Sequence, residues 1–324
     1  MPYQTPPEIC PVCQKEADFK FIQDYKNKEE NWSLYKCPEC TVQFWQLMRN
    51  PGRDWYEAKE ESQIIQSSPK RKIKLTWQHK EFLKFFKNQN NQGKKLLDLG
   101  CGTGEFLNAV QKLGFEAWGV DFDRNVIEHA KSLYNLKNVY TESIEEFSSR
   151  KSLPKFDVIT FFEVIEHVDD IPNFLHFIIE VGKEGTYIAL SVPNRNRKNP
   201  NNPKTGDYPP IHLTRWDINS LNKILRSYNI NIEKYKYGNE IECFISRSFR
   251  LNTIKKIKKL QKEMSNKSSN FLRSYKIVNF IHNFAKLKDK LLIPLAFSFV
   301  NIQKFFNIYG EGDCIFLIGR IWKK

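Results

Sequence analysis

The stretch that decides the fold runs from residue 96 to residue 104 and reads Leu-Leu-Asp-Leu-Gly-Cys-Gly-Thr-Gly. An apolar strand ends in Asp98, and a helical sequence resumes shortly afterwards. The turn between them carries three glycines, Gly100, Gly102 and Gly104. Glycine tolerates positive φ and lets a ligand lie directly against the backbone. Open α/β sheets bind their ligands at this carboxyl end of the strands, so the turn predicts a ligand site.

The glycine spacing argues against a dinucleotide site. The dinucleotide fingerprint is G-x-G-x-x-G, whereas the turn here follows G-x-G-x-G and places Glu105 at the third dinucleotide position. The strand also ends in an acid, where a dinucleotide site is usually apolar. Both differences from the dinucleotide fingerprint argue against NAD as the ligand.

The pattern closely resembles the first motif of class I S-adenosylmethionine (SAM) methyltransferases. In that family an acid at the end of the next strand binds the ribose hydroxyls, and Asp121 in Gly-Val-Asp-Phe-Asp matches it. A carboxylate accepts short, charge-assisted hydrogen bonds from two vicinal hydroxyls. A generic glycine-rich turn followed by a chance acid is the alternative. The resemblance implies that SAM is the cofactor and that these residues bind it: Asp98, Gly100, Gly102, Gly104, Asp121, Phe122 beside the adenine, Glu142 or Ser143 at its edge, and Glu163.

From residue 96 onward, strand and helix patterns alternate, which is typical of a mostly parallel sheet with crossover helices. The resemblance implies an α/β, Rossmann-like sheet whose last strand is antiparallel. Helices are expected over about 104–113, 123–133 and 217–227, and another after Asp170. The expected strands are Lys95–Leu99, Glu116–Asp121, Val139–Tyr140, Phe156–Phe162, Thr186–Ser191, Ile230–Tyr237 and Asp313–Ile321.

Two cysteine pairs near the N-terminus predict a metal site. Cys10-Pro-Val-Cys13 and Cys37-Pro-Glu-Cys40 are separated by 23 residues, and short strand patterns lie between them. Four thiolates on two CxxC turns suit tetrahedral Zn²⁺, and a closed set of this kind is structural rather than catalytic. The arrangement looks like a zinc ribbon. A redox CxxC pair is the alternative, which a second matched pair disfavours.

These patterns divide the chain into three parts. Residues 1–50 are expected to form the zinc ribbon, 51–92 a linker with a leading helix, and 93–324 the SAM-binding domain. The leading helix, over Lys72–Lys87, is expected to pack the ribbon onto the sheet. Residues 239–310 read as a basic helical insertion before the last strand.

The charge is unevenly distributed. The chain carries a formal net charge of +14, and thirteen Lys or Arg against two acids give +11 between Arg247 and Lys290. A short apolar run follows, so region 247–305 is interpreted either as a contact with an anionic membrane surface or as a lysine-rich lid over the active site. Nucleic acid is a less favoured partner. From the paired CxxC units, the lack of a signal-peptide pattern and the lack of a long apolar span we expect a cytoplasmic protein, with peripheral contact at the inner membrane face as an open alternative.

Two histidines are the catalytic candidates. A hydroxyl nucleophile needs a proton acceptor, and His212 in Tyr-Pro-Pro-Ile-His-Leu-Thr-Arg-Trp is the first choice because it follows a long loop, 193–211. A structural role in ordering that loop is the alternative. His167 is the second candidate, as a residue near the cofactor.

The segment Glu163-Val-Ile-Glu166-His167 also resembles ubiquinone-pathway O-methyltransferases, whose matching residues can hold a divalent cation. On a helical turn these three positions share a face, so Mg²⁺ or Zn²⁺ is an open alternative. A merely packed His167 is the favoured interpretation.

The leading functional hypothesis is SAM-dependent O-methylation of a small hydroxylated acceptor, such as a sugar or a glycan-lipid precursor. The chain lacks the Asn/Asp-Pro-Pro-aromatic turn of amine-modifying relatives, which argues against adenine or glutamine N-methylation and mildly against nucleic-acid bases as acceptors. Three alternatives stay open: a nucleotide-sugar C-methyltransferase, an RNA methyltransferase, and a non-catalytic SAM-binding assembly module.

Overall fold

The computed structural model describes residues 2–27, 30–58, 74–197, 207–238 and 312–322. These residues form two β-sheets with helices packed around them. The strands, in chain order, are β1 Lys20–Lys26, β2 Asn31–Lys36, β3 Gln43–Gln46, β4 Lys95–Leu99, β5 Glu116–Asp121, β6 Asn138–Thr141, β7 Phe156–Phe162, β8 Gly182–Pro193, β9 Thr214–Arg215, β10 Ile230–Gly238 and β11 Cys314–Ile321.

The larger sheet has the order β10-β11-β8-β7-β4-β5-β6. Strands β4 to β8 are parallel to one another, whereas β11 is antiparallel to both β8 and β10. The predicted Rossmann-like methyltransferase sheet is therefore confirmed. Because the carboxyl ends of parallel strands meet at one edge, the turns that follow β4, β5, β6 and β7 lie next to one another there.

Seven α-helices lie within the described residues. They are α1 Arg53–Glu57, α2 Trp77–Phe86, α3 Glu105–Gln111, α4 Arg124–Tyr134, α5 Ile144–Ser148, α6 Ile171–Val181 and α7 Ile218–Ser227. Side chains that accept a backbone N–H fix where several of them begin. The Asp123 carboxylate caps α4, as predicted, and the Asp170 carboxylate caps α6.

The two faces of the larger sheet carry separate hydrophobic clusters. Alternate residues of each strand point to opposite faces, so Leu97 belongs to one cluster and Leu96 to the other. The first cluster also contains ribbon residues, whereas Phe82 and Phe86 of α2 belong to the second. The expectation that the leading helix packs the ribbon onto the sheet is therefore wrong, because α2 covers the other face. This helix begins at Trp77, where the Thr76 side chain caps it.

The smaller sheet is antiparallel and has the order β1-β2-β3-β9. Of the paired cysteines of the predicted ribbon, Cys10 and Cys13 precede β1, and Cys37 and Cys40 lie between β2 and β3. The short strand β9 comes from the long loop after β8 and pairs with β3, Phe44 opposite Thr214 and Gln43 opposite Arg215. Backbone hydrogen bonds thus link the ribbon to the loop that leaves the larger sheet, and ribbon side chains belong to the first hydrophobic cluster of that sheet.

Two predictions concern residues outside this description. The basic helical insertion at 239–310, and with it the anionic-surface or lid role of 247–305, lie outside the described residues. Among the residues that are described, no helix is both long enough and apolar enough to cross a bilayer.

A helix-capping variant tests this account of α6. The exposed Asp170 carboxylate accepts from the Asn173 backbone N–H at 3.1 Å, so Asp170→Ala is expected to lower the free energy of unfolding by about 1 kcal/mol. Asp170→Asn keeps an acceptor and should retain most of that stability. Urea denaturation of the three proteins measures both effects, and equal midpoints would contradict the capping role.

Candidate functional site

The glycine turn is shaped by close packing on one side and open space on the other. Gly104 starts α3 at φ 78°, and a Cβ there would lie 2.7 Å from the Ala130 Cβ. Gly102 has φ 51°, and a Cβ there would meet no atom within 4 Å. Gly100 lies behind it, and its N–H donates to the Val120 carbonyl at 2.8 Å. The open side of the turn therefore gives a ligand access to the backbone at Gly102.

Asp121 holds this turn from the neighbouring strand. One carboxylate oxygen accepts from the Gly102 N–H at 3.0 Å, and the other accepts from the Asp123 N–H at 3.0 Å. The acid predicted to bind a ribose thus lies beside the turn, at the end of β5. Its position agrees with the predicted role in cofactor binding, which stays a prediction.

Three acids lie around the glycine turn: Asp98 is buried, and Glu105 and Asp121 are partly buried. Burial raises the pKa of Asp98 to about 8, although the Thr160 hydroxyl donates to it at 2.6 Å, and the charges of Glu105 and Asp121 raise this pKa further. Burial also raises the pKa of Asp121 to about 6 and raises the pKa of Glu105. A positively charged ligand would favour the ionised acids. The site therefore suits a cation such as SAM, which carries a sulfonium and an ammonium group.

The residues predicted to contact the adenine lie on the turns after β5 and β6. Phe122 follows Asp121 directly, and its ring centroid lies 5.0 Å from that of Tyr56. Glu142 forms an ion pair with Arg150. The Ser143 hydroxyl caps α5 by accepting from the Glu146 N–H at 3.1 Å. Both polar side chains thus have partners within the chain, and their contact with a cofactor stays a prediction.

Glu163 does not share a helical face with Glu166 and His167, so that expectation is wrong. Glu163 adopts a left-handed conformation, φ 56°, and only Ile165–His167 form a short 3₁₀ helix. Its carboxylate accepts from the Ser191 hydroxyl at 2.8 Å and from the Cys314 thiol at 3.1 Å. Glu163 is therefore directed toward β8 and β11.

His167 and His212 lie together in the structure, although 44 residues lie between them in the sequence. Their rings pack edge to face with centroids 4.7 Å apart. The His167 Nδ1 lies 2.7 Å from the Ile211 carbonyl, which can only accept, so this nitrogen carries the proton. The His212 Nδ1 lies 3.2 Å from an Asp207 carboxylate oxygen. When His212 is neutral and donates from Nδ1, its Nε2 is a proton acceptor.

The Asp207 carboxylate is itself firmly held. It forms an ion pair with Arg197, and both side chains are buried. Burial alone would raise the pKa of Asp207, but hydrogen bonding and charge from His212 and Arg197 lower it below its ordinary value. Sequence reasoning missed Asp207, because its five-residue separation from His212 matches no helical or strand spacing.

Magnesium does not fit the residues that the fold brings together. Glu166, His167 and His212 have potential ligand atoms within 4.8 Å of one another, and Glu163 is not among them. Mg²⁺ takes oxygen ligands, usually carboxylates and waters, whereas this group offers two imidazoles and one carboxylate. The set of Glu163, Glu166 and His167, which the sequence left open as a cation site, is therefore not formed, and no catalytic step is assigned to Mg²⁺.

The short helix α1 contributes a residue that sequence reasoning missed. Tyr56 contacts Phe122, and its hydroxyl oxygen lies 3.3 Å from the His167 Nδ1. The Tyr56 pKa is raised by burial and by the charge of Glu166. A continuous line of contacts thus runs from Phe122, through Tyr56, to the two histidines. The surrounding sequence, predicted as a linker, gave no periodic signal for this helix.

The four predicted zinc ligands form a second candidate site. The Cys10 and Cys40 sulfurs are 3.8 Å apart, and so are those of Cys13 and Cys37. A tetrahedron with Zn–S bonds of about 2.3 Å has edges of about 3.8 Å. Matching turns support the two pairs, since the Gln14 N–H donates to the Cys10 carbonyl and the Thr41 N–H donates to the Cys37 carbonyl. The sulfur geometry therefore fits Zn²⁺.

Comparison with known sequences identifies the family. Residues 53–235, more than half of the chain, match the profile of a methyltransferase domain family. The chain belongs to this family. Its identification as a class I SAM-dependent methyltransferase is thereby confirmed.

Curated relatives match a shorter region. The ubiquinone biosynthesis O-methyltransferase of Proteus mirabilis (strain HI4320) is 31% identical over 110 residues, which cover 33% of this chain and 44% of the relative. The enzyme of the same name from Hydrogenovibrio crunogenus is 31% identical over 123 residues, covering 36% and 49%. The matched region thus spans less than half of the length of these relatives.

Among solved structures, a SAM-dependent methyltransferase from Archaeoglobus fulgidus is 20% identical, with a TM-score of 0.46 over 82% of this chain and 98% of that one. Magnesium protoporphyrin IX methyltransferase from Synechocystis PCC 6803 is 14% identical, with a TM-score of 0.41 over 56% and 86%.

The raised pKa of Asp98 predicts that SAM binding depends on pH. Below about pH 8 this acid is largely protonated and neutral, so a cationic ligand gains less from it. The dissociation constant for SAM should therefore fall by about tenfold from pH 7 to about pH 9, as the proton leaves. Titration calorimetry across this range measures the effect.

Asp98→Asn is the matched control because it keeps the shape of the side chain without the titration. Its affinity for SAM should be weaker at high pH and should change little over the same range. A wild-type dissociation constant that stays constant with pH would contradict the role of the Asp98 charge.

Proposed function

We propose that the protein transfers the methyl group of SAM to a hydroxyl oxygen of a small acceptor. The observation that supports this most is the Asp207–His212 pair, whose imidazole packs against His167, and His167 in turn contacts Tyr56, the neighbour of Phe122. An oxygen nucleophile needs such a proton acceptor, because an unionised hydroxyl is a weak nucleophile. The curated relatives that are named O-methyltransferases agree with this chemistry.

In this proposal the acids around the glycine turn bind the cofactor, and His212 with Asp207 carries out proton transfer. Bound SAM would supply a methyl group on a positively charged sulfur. In their ionised forms Asp98 and Glu105 would favour binding of this cation, and Asp121 would accept from the ribose hydroxyls. The Nε2 of His212 would take the hydroxyl proton as the acceptor oxygen bonds to the methyl carbon, while the bond from that carbon to sulfur breaks and its electron pair stays on sulfur, which leaves as a neutral thioether. Asp207 keeps the His212 ring in orientation and stabilises the imidazolium that results.

The side chains around the two histidines are largely buried, which supports a role for the protein in excluding water and orienting the nucleophile. The His212 side chain is 13% exposed and that of Glu166 is 1% exposed. Tyr56 lies against the His167 ring on one side. Exclusion of water and correct orientation of the nucleophile supply much of the rate enhancement in an in-line displacement. A sugar, or another hydroxylated small molecule of similar size, is the acceptor class that we propose.

The acceptor can be found directly. Cell extract would be incubated with isotopically labelled SAM and the purified protein, and the labelled products identified by mass spectrometry. We expect a labelled methyl ether. Label on carbon or in RNA would instead support the alternative C-methyltransferase or RNA methyltransferase functions.

Replacement of His212 tests the base. His212→Ala is expected to lower the rate of methyl transfer in this extract assay by roughly 10²–10⁴-fold, because the hydroxyl loses its proton acceptor. The affinity for SAM, measured by calorimetry, should stay near that of the wild type. His176→Ala is the matched control, since His176 lies on α6 and packs against Tyr228. Full turnover by His212→Ala would place the base elsewhere.

We also infer that Cys10, Cys13, Cys37 and Cys40 bind one structural Zn²⁺. The support is the sulfur geometry given above, together with the burial of three of the four side chains. A closed set of four cysteines leaves no position for substrate, so the ion would stabilise the ribbon rather than take part in the reaction.

Metal analysis tests this site. We expect about one equivalent of zinc per chain, and we expect Cys37→Ser to lose most of it and to melt at a lower temperature, because structural zinc contributes to folding. Cys243→Ser, which alters a cysteine outside the set of four, should keep the metal. A zinc-free wild-type protein as stable as the metal-bound form would argue against the site.

A further inference from the structure

The segment from Asp207 to Arg215, here called the histidine loop, is held by the ribbon at several points. Near its end, β9 forms the fourth strand of the ribbon sheet. The Trp45 N–H donates to the Leu213 carbonyl at 2.8 Å, and the Leu213 N–H donates to the Glu166 carbonyl at 2.7 Å. The residue next to His212 is therefore bonded to the ribbon on one side and to the 3₁₀ turn on the other.

The beginning of the histidine loop is anchored in the ribbon by an aromatic side chain. Tyr208 is 7% exposed. Its ring centroid lies 4.6 Å from that of Tyr25 and 5.4 Å from that of Trp45. The Gln23 amide donates to its hydroxyl at 3.3 Å. The Tyr208 carbonyl in turn accepts from the His212 N–H at 3.2 Å, so the anchored residue also fixes the backbone at His212.

Arg215, at the end of the histidine loop, contacts the residues at its beginning. Its guanidinium carbon lies 5.1 Å from the Trp45 ring centroid and 4.8 Å from that of Tyr208. The same guanidinium donates to the Asp207 carbonyl at 3.1 Å. Stacking and hydrogen bonding thus join both ends of the histidine loop to one ribbon tryptophan.

The turn that carries Cys37 and Cys40 contacts residues on either side of the histidine loop. Arg195 donates to the Thr41 carbonyl, directly after Cys40, and forms an ion pair with Asp217. Lys223 on α7 donates to the Glu39 carbonyl at 2.8 Å. The β3 edge next to this turn is occupied by β9, so that edge is not available to pair with another chain.

We propose that the N-terminal ribbon is a positioning element of the active site, in which Trp45 and Tyr208 fix the histidine loop and thereby the His212 ring. In this proposal the ribbon acts on the active site of its own chain rather than by binding another protein. The proposal rests on the proposed function for the catalytic role of His212, but the mechanical link between ribbon and loop can be tested without it.

Hydrogen–deuterium exchange on the full chain tests the link. Tyr208→Ala removes the anchor, and amides of residues 211–217 should then exchange faster, while those of β5, 116–121, keep their protection. Tyr208→Phe keeps the ring and should restore protection. Tyr235→Ala is the matched control, because Tyr235 is 52% exposed on β10. Unchanged exchange at 211–217 in Tyr208→Ala would overturn the proposal.

Removal of the ribbon metal from the wild type provides a second measurement that needs no substitution. After chelation of zinc, residues 211–217 should lose protection together with the ribbon strands, whereas 116–121 should not. Loss of protection in the ribbon alone would contradict the proposal. This experiment decides the question if Tyr208→Ala fails to fold.

Turnover separates this proposal from the proposed function. In the extract assay Tyr208→Ala should transfer methyl groups about 10- to 100-fold more slowly, as expected for a displaced catalytic group, with the SAM dissociation constant within about twofold of the wild type. Faster exchange with full turnover would refute the positioning role while leaving the link intact. Full turnover by His212→Ala would instead refute the proposed base.

Discussion

The parallel register of β4 with β5 and β7 is the constraint on which the site depends. Asp98 lies opposite Gly119 on one side and Thr160 on the other, so the ends of three strands meet at one edge. This pairing brings together the glycine turn, Asp121 and the turn that leads to His167. A shift by one residue would invert every side chain between the two faces and would separate Asp98 from the Thr160 hydroxyl.

Some features at this edge of the sheet lower the stability of the folded protein. Desolvated acids with raised pKa values, such as Asp98, and a non-glycine residue in the left-handed region, Glu163, both lower stability. The surrounding core compensates, because the strands that carry them are almost entirely buried. A cationic cofactor would relieve the repulsion among the acids, so binding and stability are coupled in this site.

The sequence predicted the parts of the structure that depend on local pattern. The bounds of β4, β5 and β7 agree with the predicted strands because each is a short, largely apolar run between polar or glycine residues. The four-residue strand β3 and the helix α1 were missed, since neither is long enough to show a period. The Asp207–His212 contact and the left-handed Glu163 depend on tertiary structure and had no sequence signal. The same is true of the pairing between β3 and β9, which makes the ribbon part of the site.

The central claim is that the edge formed by the glycine turn and Asp121 binds SAM. Titration calorimetry of the full chain with SAM, beside the Asp121→Ala variant, tests it most directly. The account predicts one binding site per chain in the wild type, and a loss of about 1.5–3 kcal/mol of binding free energy in the variant, the scale of a hydrogen bond to a charged group. Equal affinity in the two proteins, or no binding of SAM to the wild type, would contradict it.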